Sequence, residues 1–97
     1  MENVAKGSES GRRLKHLREA FGYPTQTAFC AALGVQLNRW NNIERGEPLS
    51  IRVAMTIINR FPGLTLDYLY FGKTDGLTVS MARRLGFLPP TARPPKA

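Results

Sequence analysis

Amide and guanidinium side chains cluster between residues 36 and 45, and they are the groups in this chain best suited to recognising a ligand. The segment holds three asparagines, one glutamine and two arginines. At helical spacing, Val35, Trp40 and Ile43 lie on one side and the polar side chains lie on the other. Amide and guanidinium groups form paired hydrogen bonds with base edges, and guanidinium groups also bind phosphates. The pattern therefore indicates a polar helix face with the chemistry for reading nucleic acid.

A second short helix precedes this one and should position it. Thr25 is a good N-cap for a helix over 26–33, because its hydroxyl can accept a hydrogen bond from a free backbone N–H. Gly34 ends that helix, since glycine adopts the left-handed conformation without steric cost. The helix over 36–45 follows and ends at Gly46. We expect two helices joined by a tight turn.

Apolar residues recur at helical spacing in three further segments, over 11–21, over 51–60 and between Thr65 and Gly72. The expected N-caps of these helices are Ser8 or Ser10, Ser50 and Thr65. The sequence therefore predicts an all-α chain with a compact five-helix domain.

Thr78 could cap a sixth helix over 78–88, with Val79, Ala82 and Leu85 on its inward stripe. This helix would either pack back on its own domain or form a dimer contact.

The composition divides the chain into four segments. Residues 1–10 are polar and are expected to form a flexible arm. Residues 11–72 are expected to form the helical reading domain, and residues 73–88 a C-terminal helical extension. Residues 89–97 contain four prolines, which predicts a disordered, extended tail.

The net charge of +7 is the main compositional signal in this chain of 97 residues. Hydrophobic residues at 42% and charged residues at 22% are typical of one small globular domain. Residues 12–72 carry eight basic and four acidic side chains, and residues 73–97 carry five and one. A polyanionic partner is the simplest interpretation of this excess.

The sequence argues against an enzyme. His16 and Cys30 are the single histidine and cysteine, so a His/Cys metal cage is excluded. There is no Gly-rich phosphate loop and no paired-carboxylate pattern. We therefore expect no catalytic residue, no cofactor, no metal and no small-molecule substrate. Cys30 lies on the inward face of its helix and is interpreted as a core residue, with a redox role as the alternative.

No apolar run approaches the roughly 20 residues that span a bilayer. The N-terminal residues also lack the apolar stretch of a secretory signal. We expect a cytoplasmic protein without membrane contact.

The run TQTAFCAALGVQLNRWNNIERG resembles the helix-turn-helix of the Cro and phage-repressor family, the xenobiotic-response-element type of bacterial regulator. The matching features are Gln26 at the start of the first helix, Phe29-Cys30, Leu33-Gly34 at the turn and Ile43-Glu44-Arg45-Gly46 at the end of the second helix. The similarity continues through Pro48-Leu49-Ser50 and LTLDYLYFG, so it covers residues 12–72. The order and spacing of these short motifs together make the signal specific.

The resemblance implies that the second helix enters the major groove while the first lies across the DNA backbone. By position, the residues that it places at DNA are Gln26, Gln36, Leu37, Asn38, Arg39, Asn41, Asn42 and Arg45. Gln26 and Arg45 would bind phosphate, and the others would line or flank the groove.

Individual roles follow from side-chain chemistry. Asn38 and Asn42 can each form two hydrogen bonds with adenine. Arg39 could read guanine or hold a phosphate, and both remain open. Leu37 could pack on a thymine methyl or weaken polar recognition. For Asn41 and Asn42 the alternative is a merely solvated face.

Two other side chains of this helix are expected to serve the protein itself. Trp40 stands where the family has an aliphatic core residue, so we interpret it as core and not as a stacking platform. Glu44 would repel phosphate and is expected to bond to a basic side chain or a backbone N–H within the protein.

These observations predict a sequence-specific double-stranded DNA-binding regulator of transcription, acting as a repressor. A homodimer on an inverted-repeat operator is expected, because one small monomer reads few base pairs. The alternative is a protein-binding adaptor, such as an antitoxin or antiactivator. Leu37 and Trp40 on the reading helix, together with the apolar C-terminal third, favour that alternative.

Overall fold

Six α-helices form the regular structure in the computed structural model, which describes residues 3–89. They are α1 (Asn3–Ala20), α2 (Gln26–Leu33), α3 (Leu37–Glu44), α4 (Ile51–Arg60), α5 (Leu66–Phe71) and α6 (Val79–Arg84). Over the same residues, β-type pairing is limited to an isolated bridge between Pro62 and Leu64. The all-α prediction is confirmed, and the sixth helix is present.

Side-chain hydroxyls begin four of the helices at the predicted residues. Each accepts a hydrogen bond from a backbone N–H that the helix leaves without an internal partner. The pairs are Thr25 with Ala28 N at 3.2 Å, Ser50 with Val53 N at 3.2 Å, Thr65 with Tyr68 N at 3.0 Å and Thr78 with Met81 N at 3.2 Å.

One apolar core joins the helices, with α1 at its centre. Leu14 and Leu17 of α1 are fully buried, and the helix packs against both α3 and α5. The other large side chains with almost no exposure are Phe29, Trp40, Ile57, Tyr68, Leu69 and Leu85. Helices α1 to α5 all contribute to this list, and Leu85 directly follows α6. Met81 and Ala82 of α6 are also buried, so α6 packs on the same domain as the other five.

The predicted start of α1 was wrong. The helix includes residues 3–10, which we expected to form a flexible arm, and Ser8 and Ser10 lie within it instead of capping it. No proline interrupts this segment, so nothing breaks its hydrogen-bond ladder. Gly11, the first residue of the expected helix over 11–21, lies well inside α1 at the point where that helix meets α3.

The extent and inward face of α6 also differ from the prediction. The helix ends at Arg84, because Gly86 takes a left-handed φ of 91° and Phe87 N donates to Ala82 O at 2.8 Å. Of the predicted inward stripe, Ala82 and Leu85 are buried, but Val79 is 57% exposed and the neighbouring Met81 is buried in its place. Of the predicted tail over 89–97, residues 90–97 lie outside the described part of the chain.

Within residues 3–89, no helix combines the length and the apolar character needed to cross a bilayer.

The contact between α1 and α3 is so close that only glycine fits. A Cβ on Gly11 would overlap with the carbonyl oxygen of Glu44 and lie 2.8 Å from its carbonyl carbon. Both atoms belong to the backbone, so no side-chain rotation relieves the overlap. Glycine costs a helix interior about 0.5–1 kcal/mol relative to alanine, and the close approach offsets that cost here.

We expect Gly11→Ala to destabilise the protein, although alanine usually stabilises a helix interior. The added methyl group forces α1 and α3 apart, at a cost of about 1–3 kcal/mol. Urea unfolding followed by circular dichroism measures the change, with Ser10→Ala as the neighbouring control. A Gly11→Ala protein as stable as the wild type would contradict this close helix contact.

Candidate nucleic-acid interface

The corner between α2 and α3 fixes their relative orientation. Gly34 adopts a left-handed φ of 76°, and its N–H donates to Cys30 O at 2.8 Å. Val35 N donates to the same oxygen at 3.1 Å. A residue with a side chain is strained at this φ, so glycine at the corner is a local requirement of the fold.

The inward face of α3 is apolar. Trp40 is fully buried and Ile43 is 3% exposed. The Trp40 and Phe29 rings pack together with their centroids 5.0 Å apart. Trp40 is therefore a core residue, as predicted, and offers no stacking surface to a ligand.

The outward face of α3 is polar, and most of the predicted recognition residues meet there. Gln36, Leu37, Asn38, Arg39, Asn42 and Arg45 are exposed, and Asn41 is half-buried. Gln36 occupies the N-cap position of α3 without a side-chain capping bond. Along this face, the amide and guanidinium groups make no hydrogen bond to another described residue, so their donors and acceptors are available to a ligand.

The carboxylate of Glu44 anchors α3 to two other helices. Arg18 of α1 donates to it twice, from Nε to Oε2 at 2.8 Å and from Nη2 to Oε1 at 3.3 Å. Gln26 Nε2 of α2 donates to Oε1 at 2.9 Å, and Trp40 Nε1 donates to Oε2. The Arg18 and Glu44 side chains are only 4% and 6% exposed. We call these four residues the Glu44 cluster. It confirms the predicted internal role of Glu44.

Gln26 is thus placed differently from the other predicted contacts. Its amide nitrogen donates to Glu44, and it is the first residue of α2 and not a residue of α3. An amide nitrogen carries two donor hydrogens, so one remains for a phosphate. The main role of Gln26 in the structure is to position α3.

Two arginines have structural roles that the sequence analysis missed. Arg18 also donates from Nη1 to Tyr23 O at 2.8 Å, which holds the loop between α1 and α2. Its position one helical turn after Leu14 and next to Leu17 was the available signal for burial. Arg13 Nη2 donates to Tyr70 O at 3.1 Å and satisfies a carbonyl at the end of α5.

His16 also bonds within the protein. Its Nε2 lies 2.7 Å from the carbonyl oxygen of Leu85, the C-cap residue of α6, and this contact links α1 to α6.

Burial raises the pKa of the Glu44 carboxyl, but the hydrogen bonds from Arg18, Gln26 and Trp40 outweigh it and hold the pKa below its ordinary value. Glu44 is therefore ionised at neutral pH and its charge is balanced by Arg18. The outward face of α3 consequently presents neutral and positive groups, a charge pattern that suits a polyanion.

Cys30 is a buried free thiol beneath this surface. Burial raises its pKa, and the nearby Glu44 carboxylate raises it further. The thiolate is the reactive form of cysteine, so this environment favours the predicted core role.

Comparisons with protein-family models, curated proteins and solved structures give no match for this chain. The similarity to the Cro and phage-repressor family rests on the sequence motifs alone.

The Glu44 cluster predicts a specific acid sensitivity. Because the pKa of Glu44 is lowered in the folded protein, its contribution to stability is complete above the ordinary glutamate pKa of about 4.3. That contribution is lost as the pH falls through the folded-state pKa. Removing one donor with Gln26→Leu should raise this pKa and reduce stability by about 1–2 kcal/mol at neutral pH.

Acid unfolding followed by tryptophan fluorescence measures the effect, because Trp40 is the single tryptophan and lies in the cluster. We expect the unfolding midpoint of Gln26→Leu to move to higher pH. Glu19→Gln, which changes an exposed carboxylate of α1, should leave the midpoint close to that of the wild type. Equal shifts of the unfolding midpoint in Gln26→Leu and Glu19→Gln would contradict the role of the Glu44 cluster in acid stability.

Proposed function

We propose that this chain is a sequence-specific double-stranded DNA-binding regulator of transcription, and most simply a repressor. The observation that carries the proposal is the outward face of α3. Four exposed residues of this short helix (Leu37, Asn38, Arg39 and Asn42) and its exposed cap residues (Gln36 and Arg45) face solvent, while the inward face of α3 is buried in the core.

The length and position of α3 support insertion into a major groove. B-DNA admits an α-helix there, and residues near the start of the helix contact the base edges. Asn38 lies in the first turn of α3 and Asn42 one turn later, so both can reach adjacent base pairs. Arg39 has the chemistry for guanine or phosphate, and Arg45 at the end of α3 suits a phosphate.

Exposed apolar side chains support a dimer. Phe71 at the end of α5 is 70% exposed and Val79 at the start of α6 is 57% exposed. Apolar patches on small proteins often mark contacts with another protein. Two copies would place two reading helices about 34 Å apart, one helical turn of DNA.

The rival proposal is a protein-binding adaptor with the same fold. Leu37, 44% exposed on the outward face of α3, is the observation that favours it. Trp40 gives no support, because its side chain is fully buried.

Selection from a random duplex pool, with excess competitor DNA at physiological salt, tests the proposal. We expect enrichment of an inverted repeat with half-sites about one turn apart. Weak, sequence-blind binding with a steep salt dependence would contradict the proposal and favour the adaptor.

The double variant Asn38→Ala, Asn42→Ala tests the base contacts on the selected site. Each two-bond contact contributes about 1–3 kcal/mol of discrimination, so affinity for the operator should fall by at least tenfold, with little change in affinity for random DNA. Fluorescence anisotropy with both duplexes measures this. Asn59→Ala is the matched control, because Asn59 is an exposed asparagine on α4. Undiminished operator binding by the double variant would overturn the assignment of these two residues.

Charged substitutions test the dimer contact and distinguish its two candidate locations. Phe71→Asp should weaken self-association if α5 forms the contact, and Val79→Asp if α6 does, since each places a charge in an apolar interface. Sedimentation equilibrium gives the dissociation constants. Both side chains are largely exposed, so the monomer fold should tolerate either change. A wild-type chain that remains monomeric on its operator would contradict the dimer.

A further inference from the structure

A groove lies between the end of α1, the end of α4 and α6, and no residue of α3 lines it. Its volume is about 710 Å³, and it is open to solvent along one side. The residues that define its chemistry, which we call the Arg–Phe groove, are Phe21, Tyr23, Arg60, Phe61, Arg83 and Arg84.

The two phenylalanine rings of this groove are already in contact with a partner across their faces. Phe21 and Phe61 stack with their centroids 4.1 Å apart and their planes 26° apart. The guanidinium carbon of Arg60 lies 5.2 Å from the centroid of Phe61, and that of Arg84 lies 5.4 Å from the centroid of Phe21. Cation–π contact therefore holds the guanidinium groups of Arg60 and Arg84 beside the aromatic rings of the groove.

The donors of these arginines are largely unused. Arg84 Nε donates to Ala20 O at 3.3 Å, which fixes the side chain and leaves its two terminal nitrogens. The exposed guanidinium groups of Arg60 and Arg83 bond to no other residue in the described part of the chain. The groove lining contains no aspartate or glutamate. The groove thus combines three arginines, without a carboxylate in its lining, with an apolar floor formed by Phe21, Phe61, Pro62 and Met81.

We propose that the Arg–Phe groove binds an acidic segment of a partner protein. Its carboxylates pair with the guanidinium edges of Arg60, Arg83 and Arg84, and an apolar side chain of the segment packs on the floor beside Phe61. Carboxylates match the fork geometry of arginine and form paired, charge-assisted hydrogen bonds.

The geometry favours a peptide over the other anions. Single-stranded nucleic acid binds by stacking bases on open aromatic faces, and here the faces of Phe21 and Phe61 are occupied by arginine or by another ring. A free small molecule is usually buried over most of its surface, whereas this groove is open on one side. An extended peptide can bind without open aromatic faces and without being enclosed on all sides.

The groove is separate from the proposed DNA-reading face. None of the residues assigned to DNA contacts lines it, so a partner bound here leaves α3 free. Peptide binding in this groove does not require that α3 binds DNA, and the experiment below tests peptide binding alone.

A peptide titration tests the proposal with the full chain. The probe is a short fluorescein-labelled peptide in which Glu and Asp flank a central Leu-Phe pair, and anisotropy is recorded at physiological salt. The groove variant carries Arg60→Gln, Arg83→Gln and Arg84→Gln. The control variant loses the same charge elsewhere, through Arg12→Gln, Lys15→Gln and Lys73→Gln at exposed positions outside the groove. Circular dichroism confirms that both variants fold.

We expect the peptide to bind the wild type and the control variant similarly, and the groove variant at least about tenfold more weakly, because three ion pairs are lost. A second peptide with Gln and Asn in place of the acids should not bind. Equal weakening of both variants, or no binding by the wild type, overturns the proposal. Tighter binding of labelled oligo-dT, lost only in the groove variant, would also overturn it and assign the groove to nucleic acid.

Discussion

The position of α3 depends on one buried carboxylate. An ionised glutamate removed from water is costly unless charged and polar partners surround it. Glu44 finds its partners on α1, on α2 and on α3 itself, through Arg18, Gln26 and Trp40. Rotation of α3 about its axis, or a shift along α2, would leave a charge in the core without its hydrogen bonds. The polar face of α3 therefore has a single orientation in the folded protein.

Two contacts of other kinds act on the same helix. Gly11 brings the backbone of α1 against the end of α3, and Trp40 packs on Phe29 of α2. Gly11 sets the distance between α1 and α3, and Trp40 fills the space between α3 and α2. The Glu44 carboxylate sets the rotation of α3 about its own axis. The outward side chains of α3 contribute little to this arrangement. They are thus free to vary with the requirements of a ligand.

The features that the sequence predicted well are those with local causes. Thr25, Ser50, Thr65 and Thr78 cap helices through a backbone N–H three residues later, and Gly34 turns the chain by its own conformation. The roles of Arg13 and Gln26 were not predicted, because their partners are distant in the chain: Arg13 binds the end of α5, 57 residues away. The start of α1 was wrong for a different reason: the polar composition of residues 1–10 was interpreted as an arm, and a polar segment can still be helical. The contact of Gly11 with α3 does depend on a distant partner, and it is visible only in the structure.

The attachment of α6 has a consequence for how the molecule opens. Besides the packing of Met81, Ala82 and Leu85 and the contact of Arg84 with the Phe21 ring, three hydrogen bonds within residues 3–89 hold this helix and its two flanking residues. They run from Thr78 N to Gly63 O, from Arg84 Nε to Ala20 O and between His16 Nε2 and Leu85 O. A short helix held in this way can detach in a local fluctuation at lower free energy than global unfolding. We expect its amide hydrogens to exchange with solvent before those of α1 and α3. When α6 detaches, the Arg–Phe groove loses one of its walls, and the groove forms again when α6 returns. The helix α3 stays in place throughout.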